Sequence, residues 1–149
     1  MVTLIFSKVL VAYDGSNLSK KALDKAIAIV KEKYDYLVAP QLIVMHVIQA
    51  PSYSYAASAA PYYFSNVSHM ETDTKVLDEV KFKIPSTLNV IYVTSRGQPA
   101  HSILEYAHEN NCDLIVMGSR GLGAIREFFL GSVSHNVVQN SKVPVLVVK

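Results

Sequence analysis

Four of the six glycines fall within fourteen residues of one another: Gly118, Gly121, Gly123 and Gly131. Each forfeits backbone entropy on folding, about 0.5–1 kcal/mol relative to alanine in regular structure. Placed after an apolar run and before a helix-period segment, they predict a tight bend that approaches something closely. Gly131-Ser132-Val133-Ser134 then opens that helix, where bare N–H groups and the positive end of the dipole accept an anion. Ser132 and Ser134 add hydroxyl donors, and a phosphate is the natural guest. The alternative for both serines is an ordinary helix start. Arg120 and Arg126 either pair with phosphate oxygens bidentately or stand in solvent. No Lys-Ser or Lys-Thr pair follows the glycines, which excludes a P-loop. Arg126 occupies the place of a third glycine after Gly121-Leu122-Gly123, which excludes the dinucleotide fingerprint.

A second candidate stretch reads Ala12-Tyr13-Asp14-Gly15-Ser16. Asp14 is either a ligand-binding carboxylate or a turn residue, since Asp-Gly-Ser is ordinary turn chemistry. Other polar residues have blander readings. His46 lies inside an apolar run and reads as a hydrogen-bonded core histidine. His69, His101, His108 and His135 show no ligand spacing with one another or with Cys112, so no protein-held metal site is expected. Cys112 has no evident triad partner, and no carboxylate pair stands at a spacing for general acid–base work.

The elements that must position these residues are legible as alternating patterns. Apolar, β-branched runs at Lys8–Tyr13, Gln41–Ile48, Leu88–Thr94, Asp113–Met117 and Val143–Val148 are mostly continuous, as in strands covered on both faces. Between them lie helix-period segments at Ser16–Lys33, roughly His69–Lys83, Pro99–Asn110 and Ser132–Asn140. This β-α-β-α-β-α-β-α-β order predicts an α/β fold: one doubly wound, Rossmann-like, five-stranded parallel sheet with helices on both faces. At 149 residues the chain is expected to be a single domain. The common strand orders are 3-2-1-4-5 and 2-1-3-4-5. Ligands bind at the carboxyl ends of such strands, where the order reverses. In the first order that crevice lies between Asp14 and the glycine bend. Pro51–Val67, with four of the nine tyrosines, breaks the rhythm. Tyr53, Tyr55, Tyr62 and Tyr63 either stack on a ligand or form a contact surface.

The spacing Gly118-x2-Gly121-x9-Gly131-Ser132 resembles the nucleotide-binding signature of the universal stress protein family. The likeness extends through VLVAYDGS at 9–16, LIVMHVI at 42–48, GQPAHSIL at 97–104, DLIVMGSRG at 113–121, FLGSVS at 129–134 and PVLVV at 144–148. It implies the 3-2-1-4-5 order and an adenine nucleotide, usually ATP, in the crevice. By that resemblance Asp14 bonds the ribose or adenine, with the Ala12 backbone beside the base. Leu42 and Met117 wall the adenine, while Gly118, Gly121, Gly131, Ser132, Val133 and Ser134 hold ribose and phosphates. Family members without the glycine pattern do not bind ATP; this chain keeps it. Tyr13 departs from the smaller residue of several relatives and reshapes the adenine edge.

Three function classes follow. The leading expectation is a regulatory, stress-response domain in which ATP (or ADP or AMP) biases loop conformation, with Mg²⁺ or Mn²⁺ arriving on the phosphates. The second is a slow ATP hydrolase or adenylyl-transferring enzyme, for which no catalytic residue can be named. The third is a protein-interaction module. The last strand is an edge whose apolar face invites pairing, and the resemblance implies a homodimer through Val143–Val148. Fourteen basic residues against twelve acidic argue against a nucleic-acid footprint. No apolar run reaches the ~18 residues that span a bilayer. A cytoplasmic setting is therefore expected.

Overall fold

The five apolar runs become strands β1 (Lys8–Ala12), β2 (Gln41–Gln49), β3 (Asn89–Gly97), β4 (Leu114–Gly118) and β5 (Val145–Val148). A computed structural model describes residues 6–31, 39–49, 75–122 and 130–149. All neighbouring strands pair in parallel, in the order β3-β2-β1-β4-β5. The inner strands are buried on both faces, and every residue of β4 is buried. The outer strands β3 and β5 are only half covered. This accounts for the run character of the inner strands and its weakening at the edges.

Two helical layers cover the sheet. On one face Val9, Val11, Leu42 and Val44 pack against α1 (Asn17–Lys31) and α2, whose described part is 75–81. Ala22, Leu23, Ala26 and Val30 supply the stripe of α1, and Leu77 and Val80 that of α2. On the other face Leu10, Ile43, Met45, Ile115 and Met117 meet α3 (Pro99–Glu109) and α4 (Ser132–Asn140) through Ile103, Ala107 and Val137. Each fully buried aliphatic side chain contributes about 1.5–3 kcal/mol. The start of α1 is fixed by Ser16, whose Oγ accepts the Ser19 N–H at 3.2 Å, an N-cap. Proline at the first position opens α3 as expected. The expected tails of α1 and α2 at 32–33 and 69–74, and the tyrosine-rich segment 51–67, lie outside the described residues.

At the amino rim the Asp113 carboxylate accepts from Ser7 N (2.7 Å), Ser7 Oγ (2.6 Å) and Lys8 N (3.0 Å). These bonds tie the entry of β1 to that of β4. All five carboxyl ends therefore share the opposite rim. The chain leaves β1 towards β2 and later returns as β4 on β1's other side. The loops that follow β1 and β4 diverge there, opening a crevice.

Candidate functional site

The crevice encloses about 1090 Å³ above the carboxyl ends of the strands. From β1 and its loop come Ala12, Tyr13 and Asp14; from β4 and its loop come Met117, Gly118, Arg120 and Gly121. The first turn of α4 adds Gly131, Ser132, Val133 and Ser134. These stretches, more than a hundred residues apart in sequence, form one surface. Leu42 is the exception and a correction. It is fully buried and registers with Val9 near the start of β2. At about 3.3 Å per residue, that position lies well below the rim. The β2 residues that reach the crevice are Met45, His46, Val47, Ile48 and Gln49.

Asp14 bridges the two loops. Its Oδ1 accepts the Ser16 N–H at 2.9 Å, an Asx turn, and its Oδ2 accepts the Leu122 N–H at 3.3 Å. A Cβ on Gly121 would stand 2.6 Å from Asp14 Oδ2, so only glycine lets the bend close on the carboxylate. With about four acceptor positions on a carboxylate, Asp14 keeps capacity for further donors. Gly118 answers to a different neighbour. A Cβ there would lie 2.8 Å from Leu18 Cβ and 3.0 Å from the Leu18 carbonyl carbon, against the start of α1.

The two serines of α4 divide. Ser134 is buried, and its hydroxyl donates to the Ser119 carbonyl at 2.6 Å, with the Gly131 carbonyl at 3.1 Å. The Gly131 N–H also donates to Ser119 O, at 2.7 Å. Ser134 thus fastens the helix start to the end of β4. Ser132 is exposed at the mouth. Gly131 occupies the N-cap position and supplies no side-chain cap. The first intrahelical bond runs from His135 N to Gly131 O, so the N–H groups of 132–134 have no partner within the helix. Arg120 is half-buried and, among the described residues, forms no ion pair with a carboxylate.

The Tyr13 ring is committed to the α1–α2 layer. Burial, then the carboxylates of Glu79, Asp14 and Asp24, hold its phenol above the usual tyrosine range. Its backbone is pinned to β2: the Tyr13 N–H donates to Met45 O at 2.8 Å, and the Tyr13 carbonyl lies 2.9 Å from His46 Nδ1.

The sequence matches the universal stress protein family over residues 6–149. The chain belongs to that family. It is 37% identical to the universal stress protein YxiE of Bacillus subtilis, over 97% of this chain and all of that one. Among solved structures it is similar to protein MJ0577 of Methanocaldococcus jannaschii, with a TM-score of 0.71, 26% identity and 97% and 96% of the two chains covered. A universal stress protein solved in complex with cAMP superposes with a TM-score of 0.60 at 26% identity, covering 97% of each chain.

Within this universal stress protein fold, the sequence reading passed over Val47. Met45 offers its carbonyl to β1, and backbone polar groups two residues apart on a strand point the same way. The Val47 N–H and carbonyl therefore face the crevice just beyond the end of β1. The continuous apolar run of β2 hid this, although the rule that ligands sit at carboxyl ends favours 45–49 over 42. Pro99 and Ile103 of α3 also line the crevice without having been singled out. Arg126 and Gly123 lie outside the described residues. Cys112 is buried far from the crevice, and burial pushes its thiol up to about 11, away from nucleophile or metal chemistry at neutral pH. Among the described residues no three His, Cys, Asp or Glu could hold a metal ion, and no helix is long and apolar enough to cross a membrane.

Proposed function

We propose that the crevice binds an adenine nucleotide, ATP or its di- or monophosphate, and that occupancy biases the surrounding loops as a regulatory switch. The observation that carries this reading is the convergence, in one crevice, of a carboxylate, a glycine bend and the unpartnered first turn of α4. The amide groups of 132–134 and the Ser132 hydroxyl take the phosphates. Asp14 accepts from the ribose hydroxyls, and the base lies over Ala12 and Met117 with its edge against the Val47 peptide. The family relative in complex with cAMP supports the ligand class. A divalent cation, Mg²⁺ or Mn²⁺, rides on phosphate oxygens and water. Asp14 is held between the Ser16 and Leu122 amides, an arrangement suited to accepting from a bound ligand.

The test is linkage. At 100 times its dissociation constant a ligand of the native state adds about 2.7 kcal/mol, which raises the melting temperature of a domain this size by several degrees. ATP, ADP or AMP gives that rise. Identical melting curves with and without millimolar amounts of all three overturn the proposal.

A further inference from the structure

His46 is buried, with 6% of its surface exposed, and lines the crevice. A carbonyl oxygen only accepts, so the 2.9 Å contact with Tyr13 O makes Nδ1 the protonated ring nitrogen. In the neutral ring Nε2 is then a bare acceptor, and among the described residues it is the one buried side-chain nitrogen or oxygen without a hydrogen-bond partner. Burying an unpaired acceptor opposes folding. What the histidine does accomplish is local. It grips the peptide group that leads directly into Asp14, at the point where the β1 ladder ends.

We propose that His46 is a positioning residue of the nucleotide site, fixing the Tyr13–Asp14 peptide so that the Asp14 carboxylate is held at the glycine bend. The chain of contacts is short. His46 Nδ1–H donates to Tyr13 O, and the Tyr13 N–H donates to Met45 O at 2.8 Å. Both ends of residue 13 are thereby tied to β2. Asp14 follows at once, with its two oxygens on Ser16 N and Leu122 N. Release of the Tyr13 carbonyl frees one peptide plane and swings the carboxylate. The ribose contact suffers, while the α4 phosphate cradle does not. This inference rests on the nucleotide reading given above.

The test compares His46→Phe, which removes the donor, with His46→Asn, whose amide nitrogen can reach the same carbonyl. Affinities for ATP and for 2′,3′-dideoxy-ATP are measured by calorimetry at a temperature where each variant is folded by circular dichroism. The phenylalanine variant binds ATP about tenfold more weakly, and the asparagine variant restores most of that loss. Both variants bind the dideoxy analogue, which offers Asp14 no hydroxyl, as the parent does. In an Asp14→Ala background the phenylalanine substitution costs less than threefold, the non-additivity expected of residues acting in series. Unchanged ATP affinity in His46→Phe overturns the assignment alone, as does an equal loss for both nucleotides. Failure of the parent protein to bind either nucleotide overturns the nucleotide reading and this inference with it.

Discussion

Two glycines of one motif do different work in this molecule. Gly118 lets β4 pass against the first turn of α1, where an added methyl would meet Leu18 backbone and side chain at 2.8–3.0 Å. Neither can retreat, because one is main chain at the start of α1 and the other is the Cβ fixed directly to it. Gly118→Ala therefore costs about 1–3 kcal/mol as overpacking and lowers the melting temperature by several degrees. At Gly121 the same methyl would meet, among the described residues, only the Asp14 carboxylate, the mobile end of a side chain, at 2.6 Å. Gly121→Ala leaves the melting temperature within about 2 °C of the parent and weakens ATP binding by turning Asp14 aside. A thermal melt and a binding isotherm on the two variants check both statements. Equal effects of the two on stability would refute the division. Composition showed that glycines were concentrated here, but not which neighbour each one faces. That neighbour arrives from a hundred residues away.

At the scale of elements, the start of α4 combines an anchor with an open cradle. Ser134 holds the helix to Ser119 by a 2.6 Å bond from a buried hydroxyl, whereas Ser132 stands exposed beside unpartnered amides. Ser134→Ala removes a buried hydrogen bond worth about 1 kcal/mol. It lowers the melting temperature with little change in nucleotide affinity at 25 °C. Ser132→Ala leaves the melt unchanged and weakens ATP binding severalfold. Differential scanning calorimetry and titration separate the two roles. The bounds of α4 were readable to the residue, because a glycine, a serine pair and a valine period all mark it. The part of β2 that reaches the crevice was not. A strand buried on both faces has no polar alternation to index its position, and so Leu42 was placed at a rim that belongs to Met45, His46 and Val47.

For the whole molecule, the strand order followed from the alternation of elements together with the family likeness. It leaves β3 and β5 as edges. On β5 Leu146 is 39% exposed and its neighbours are half-buried, while one side of the strand pairs with β4. An apolar edge of this kind favours pairing with a second copy, and we propose a homodimer there. Leu146→Lys places a charge on that surface without entering the core. Sedimentation equilibrium gives the mass of one chain for this variant and of two for the parent; a dimeric variant refutes the interface.

The Val148 carbonyl accepts the Ser119 N–H at 2.8 Å, so β5 finishes beside the loop that carries Arg120 and Gly121. Residue 8, by contrast, enters the sheet from the far side, next to Asp113. A fluorophore carried at the end of β5 would overhang the mouth and crowd or report on whatever enters it, whereas one carried at Ser7, exposed at the entry of β1, would be a sheet's length away. Optical reporters of occupancy therefore belong at the finish of β5, and inert labels at the entry of β1.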